Sequence, residues 1–288
     1  MLLTFSLLGL SICAAFVGPV RLGKRLKAPL WPFAFIGALI AGLVSGHLAW
    51  PALVWLGALA ITAYIAGRAD ANRPLQIIFM SLTVLLALAL ALHLLPGFRN
   101  PVLVANIKFS PDAAPFTQYA NFDKAAVGLI LLAFLANRSR SAQERRSVLL
   151  RALPIAAITA ATVIAAGIVA GYVRPDLKLS WYTPVFLATN LLFVCVAEEA
   201  FFRGLIQEQL GRLLSGTPFG AAAAVVISAL LFGVAHLAGG IPYAGIATLA
   251  GLGYAFSYAV TKRIEAPILV HFGVNAVHFI GFTYPRIQ

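Results

Sequence analysis

The chain has 288 residues, of which 21 are Lys or Arg, 9 are Asp or Glu and 61% are apolar. A charged fraction of 10%, against roughly 25% in soluble domains, together with a mean hydropathy of +0.93, excludes a soluble globular domain, a disordered chain and a disulfide-stapled secreted module. The apolar runs are continuous, which argues against a transmembrane barrel with its alternating strands. What remains is an all-α fold, a polytopic transmembrane helical bundle of about 8–10 spanning helices.

A spanning helix takes about 20 mostly apolar residues. In chain order the candidate runs are 2–20, 30–49, 51–67, 75–96, 119–137, 153–173, 183–202, 219–238, 242–260 and 267–284. The fifth is the weakest, because its strongly apolar part is only Ala125 to Ala136 and Asn121, Asp123 and Lys124 sit at its start. The first run has no basic stretch before it. Arg21, Lys24, Arg25 and Lys27 follow it, which suits a first helix with its N-terminus outside rather than a cleaved leader. Alternation through the runs makes 21–29, 68–74, 138–152, 203–218 and 261–266 the inner loops, and these hold 15 of the 21 Lys and Arg. The positive-inside rule then places both termini outside. It also accounts for the net charge of +12 without a nucleic-acid partner.

Residues 97–124, with Pro101, Pro111 and Pro115, read as an exposed loop. Residues 138–152 read as a basic inner linker between an N-terminal transmembrane helical region, 1–150, and a C-terminal transmembrane region, 151–288. Cys13 and Cys195 lie inside apolar runs and read as small buried hydrophobes. His47 and His93, near helix ends, read as interfacial.

Ionisable groups inside a span are costly and need a reason. They gather in the second half. In Val196-Ala-Glu198-Glu199-Ala-Phe-Phe-Arg203-Gly204, an α-helix puts Glu199 and Arg203 four apart on one face, in the favourable order. Glu198 points elsewhere, and its own helix offers no obvious partner. It is therefore either protonated or paired with a group from another helix. His236 ends the run Phe232-Gly-Val-Ala-His236, and a lone His in an apolar helix is more often structural than catalytic. His271 and Asn275 share a face at i, i+4, with His278 nearly in line and read as structural. Taken together, a Glu, two His and an Asn supply the parts to activate water and stabilise an oxyanion. The sequence has no H-E-x-x-H, G-x-S-x-G or P-loop.

These motifs, E-E-x-x-x-R, F-x-x-x-H and H-x-x-x-N in that order on successive apolar runs, resemble the CPBP (Abi) family. That family includes the type II CAAX prenyl endopeptidases. The likeness covers about residues 183–285. It implies an intramembrane endopeptidase acting on a protein or peptide in or at the membrane, with Glu198 as base and His236 holding the water. It further implies His271 and Asn275 at the oxyanion, with Glu199 and Arg203 in support. A metal-free mechanism without cofactor is favoured, because Asn275 is a poor zinc ligand and a good oxyanion donor. The alternative is zinc on Glu198, His236 and His271. A compact chain rich in Ala and Arg suits a bacterial inner membrane. A transporter would call for a matching polar cluster in the first half, which is lacking. A non-catalytic scaffold would tolerate loss of polar groups that are all present here.

One mismatch of depth needs a local answer. His236 lies far along its run from the inner end, whereas His271 is only a turn or so into its own. Gly239, Gly240 and Pro242 are expected to break the chain near His236.

Overall fold

The computed structural model describes residues 1–22, 26–68 and 72–288. Lys24 and Arg25 of the first expected inner loop, and residues 69–71 of the second, lie outside the described residues. The helices are α1 (Leu2–Ala15), α2 (Trp31–Val44), α3 (Trp50–Ala66), α4 (Arg73–Ala91) and α5 (Phe122–Phe134). They continue with α6 (Ala142–Val169), α7 (Thr183–Leu213), α8 (Gly220–Val234), α9 (Ile241–Thr261) and α10 (Glu265–Gly281). Each expected apolar run carries one of them. Two short ribbons accompany the helices: β1 (Val20–Leu22) pairs antiparallel with β2 (Leu26–Ala28), and β3 (Val102–Ile107) lies beside β4 (Phe116–Tyr119). The second ribbon lies within the stretch read from sequence as an exposed loop.

By length and composition, α4, α6, α7 and α9 can each cross a membrane, while α1, α2, α3 and α8 are shorter apolar helices. The distribution of side-chain size shows what solvent this fold is built for. On α2 the buried residues are Ala38 and Gly42, while Phe33, Ile36 and Ile40 are exposed. Large apolar groups outside and small ones at helix contacts are what lipid selects, since lipid gives no hydrophobic reward for hiding Phe or Ile. The chain is an integral membrane protein.

The helices gather into two compact units. The first comprises Met1–Val102, Tyr119–Ala136 and Leu192–Phe201. Within it α1 packs on α2 and α3 on α4, and α5 touches α1, α3, α4 and the Val196–Glu199 stretch of α7. Residues Ala125 to Leu132 of α5 are all buried. A helix apolar on every side is one surrounded by others, so the weakest run in the sequence is the hub of this unit. Gly128 explains how α7 gets so near. A Cβ built there would stand 2.7 Å from the Ala197 Cα and 2.9 Å from its N.

The second unit comprises Leu103–Gln118, Asn137–Leu191 and Phe202–Gln288. Here α6 packs on α9 and α10, α9 also touches α8 and α10, and Phe232, Tyr254, Val270 and Val274 form the core with Val148 and Ala152. The loops meet in the order that alternate crossing requires. The Asn137 carbonyl accepts from the Ile264 N–H at 2.9 Å, and the Arg263 Nε donates to Glu144 Oε1 at 2.7 Å. At opposite helix ends, the Asp176 and Lys178 N–H groups donate to Gly281 and Ile280 at 2.8 and 2.7 Å, and Arg174 pairs with Asp112 at 2.9 Å. The Ser110 hydroxyl and the Lys178 ammonium hold the Asp176 carboxyl below the usual carboxylate range.

Gly128→Ala should lower the unfolding midpoint of the detergent-solubilised protein, because the added methyl meets backbone that cannot swing away. The expected cost is about 1–3 kcal/mol. An unchanged midpoint would show that α5 and α7 are less tightly apposed than described.

Candidate active site

The α7 rod is not wound uniformly. Val196–Glu199 is α-helical, but Asn190–Cys195 before it and Ala200–Gln207 after it are π-helical, with i→i+5 bonding. The two glutamates therefore sit on a short α segment between two widened ones. The i, i+4 relation read for Glu199 and Arg203 belongs to α winding, and the π winding from Ala200 onward changes the angle between them.

In the first unit, Glu198 meets Lys124. The lysine Nζ donates to Glu198 Oε1 at 2.7 Å, and both side chains are largely buried. Of the two states open to Glu198 from sequence, pairing across helices is the one adopted. Glu199 beside it is fully buried. Lys124 is itself framed. The neighbouring Asp123 is buried and accepts from His93 Nδ1 at 2.7 Å, from Asn100 Nδ2 at 3.0 Å and from the Lys124 N–H at 2.9 Å. His93, read as merely interfacial, thus has a partner of its own.

In the second unit, the two motif histidines come together around one ring. Phe232 lies 4.5 Å from the His236 ring and 5.7 Å, edge on, from the His271 ring. The expected break lies just beyond His236. Helix α8 stops at Val234, a 3-10 turn covers Leu237–Gly239, and Gly240 takes φ +96°. His236 Nδ1 lies 2.7 Å from the Phe232 carbonyl and His271 stacks on Tyr254 at 4.5 Å, so neither ring turns freely.

Arg203 packs on the same aromatic group. It is fully buried, donates from Nη2 to the Gly251 carbonyl at 2.9 Å, and lies over Phe232 at 4.8 Å and Tyr254 at 5.4 Å. The guanidinium locks α7 to α9 and braces the rings that carry the histidines. Asn275 donates from Nδ2 to Asn190 Oδ1 at 3.2 Å, which fixes the direction of its amide. His278 lies within 3.2 Å of the Thr283 carbonyl, a partner that accounts for it structurally.

Sequence reasoning missed Lys124 and Asn190. Asn190 carried a signal, being the polar residue in the middle of run 183–202. Lys124 carried a weaker one, as the cation that spoiled the fifth run. Among the described residues no three His, Cys, Asp or Glu side chains gather as a metal site. No step below uses a metal. A cleft of about 210 Å³ lined by Glu144, Ser147, Arg151, Thr261 and Arg263 includes none of the motif residues.

The class defined so far is a helical membrane protein with a buried Glu–Lys pair and a braced His pair. Residues 180–277 match the model of a family described as type II CAAX prenyl endopeptidase Rce1-like. That match covers about a third of the chain, which is there similar to the CAAX/CPBP-type proteases, and it supports membrane protease activity in general. No curated protein and no solved structure matches the chain.

Arg203→Met should lower the unfolding midpoint by the equivalent of roughly 2–3 kcal/mol, through loss of a charged hydrogen bond and desolvated cation–π contacts. Circular dichroism melts in detergent would check this. A midpoint equal to wild type would mean that the guanidinium braces nothing.

Proposed function

We propose that the protein is a glutamate-type intramembrane endopeptidase, with residues 151–288 as its protease region around the motif core at about 183–285. The observation that carries the reading is the convergence of His236 and His271 on Phe232 inside the family-matched segment. In this reading Glu198 takes a proton from water as the water oxygen forms its bond to the peptide carbonyl carbon. The carbonyl π pair moves onto oxygen, where His271 and Asn275 donate to it. His236 holds the water. As the intermediate collapses, the C–N bond breaks and the leaving nitrogen takes the proton back from Glu198. Glu199 and Arg203 keep the frame. Each atom and electron pair is accounted for, with no cofactor.

The substrate is a protein or peptide in or at the bilayer. The matched family is named for prenylated CAAX proteins. The reading of a bacterial inner membrane favours a peptide or a membrane protein instead. Comparing membrane proteomes from cells carrying wild type and Glu198→Gln distinguishes these, since new termini seen only with wild type identify the cleaved bonds.

Glu198→Gln keeps the shape and removes the base, so cleavage should fall by about 10²–10⁴-fold with the melting behaviour of a folded protein. Wild-type cleavage by the Gln variant would overturn the assignment. Activity of the purified protein should also withstand a strong zinc chelator. Its loss on chelation and return on adding zinc would restore the metal alternative.

A further inference from the structure

The polar head of α5 suggests more than charge balance, and this inference rests on Glu198 being the base. We propose that Lys124 is a positioning residue of the peptidase, holding the Glu198 carboxylate where it takes the proton from water. The ion pair joins residues 74 apart in sequence at 2.7 Å. Both of its ends are fixed independently. On one side, Asp123 is clamped by His93 and Asn100 and caps the Lys124 N–H, and Asn100 Oδ1 accepts from the Phe122 N–H at 2.9 Å. The backbone of Lys124 therefore cannot drift. On the other side, the absent side chain of Gly128 lets α5 lie against Ala197, the residue before Glu198. The distance between the two helices is set at the point where the carboxylate leaves α7.

This framing has a chemical use. Supporting groups that fix a reacting side chain to within a fraction of an ångström are what separates a productive site from one that merely contains the right residues. Lys124 comes from the region before 150, outside the family-matched segment, so the N-terminal part contributes to the chemistry rather than only to the fold.

The test uses the full chain in cells and then purified. Lys124→Met, Lys124→Arg, Glu198→Gln and the double variant Lys124→Met/Glu198→Gln are compared for the wild-type-dependent termini described above. A quenched fluorescent peptide built on one of those sequences then gives kcat and KM. Lys124→Met should lower kcat by about 10²-fold, the usual cost of a misplaced reacting group, and leave KM unchanged. Lys124→Arg should recover most of the activity. The double variant should be no slower than Glu198→Gln, because Lys124 acts only through that carboxylate.

Lys124→Met alone leaves a buried carboxylate without this partner, so its stability is measured as well. The double variant, neutral at both positions, should regain the melting midpoint that Lys124→Met loses, without regaining activity. Wild-type kcat in a folded Lys124→Met, or equal loss in Lys124→Arg and Lys124→Met, would overturn the inference and leave the peptidase standing. Absence of any Glu198-dependent terminus would overturn the peptidase and this inference with it.

Discussion

A charge or a polar group taken out of water must be answered by another group, and this constraint organises both units. Glu198 is answered by Lys124, and Asp123 by His93, Asn100 and a backbone N–H. Arg203 is answered by the Gly251 carbonyl and aromatic faces, Gln207 by the Ala255 carbonyl, and Asn275 by Asn190. Nearly every answer comes from a different helix. In a bilayer, apolar helices gain little from one another by the hydrophobic effect. These polar links therefore select which helices are neighbours and in what register. Small residues such as Gly128 then allow the approach that the links demand.

The placement of the helices was legible because hydropathy reports burial in lipid directly, and every apolar run became a helix. Lengths were less legible. Helix α5 covers only Phe122–Phe134, about 20 Å at 1.5 Å per residue, short for a bilayer. A helix shielded by its neighbours need not match hydrocarbon thickness, and run length cannot show that shielding. The ribbon of β3 and β4 hid for a related reason. Its strand Val102–Ile107 is too short and too mixed to stand out beside prolines. The π segments of α7 left no trace either, since an apolar run reads the same at either winding.

The candidate site was legible where its geometry is local. His271 and Asn275 share a face of α10 by spacing alone, and that helix is α throughout. The break at Gly239 and Gly240 followed from the residues present, and His236 just before it lies against the ring that also faces His271. The partner of Glu198 could not be read, because no spacing rule links residues 74 apart. Sequence could state only that a partner from another helix was one of two outcomes.

The two π segments give the winding of α7 a physical sense. Widened turns weaken the regular ladder, and they persist in proteins where something is gained at the site they flank. Here they bracket Glu198 and Glu199, and the first begins at Asn190, which holds the Asn275 amide. Uniform α winding would turn every residue after Asn190 through a different angle. Glu198 would then leave the helix in another direction from the one that meets Lys124, and Arg203 in another from the one that meets Phe232 and Tyr254. The irregularity of the helix and the pairing of its charges are thus one arrangement. The backbone gives up regular hydrogen bonding in two places, and the directions taken by Glu198 and by Arg203 depend on that winding.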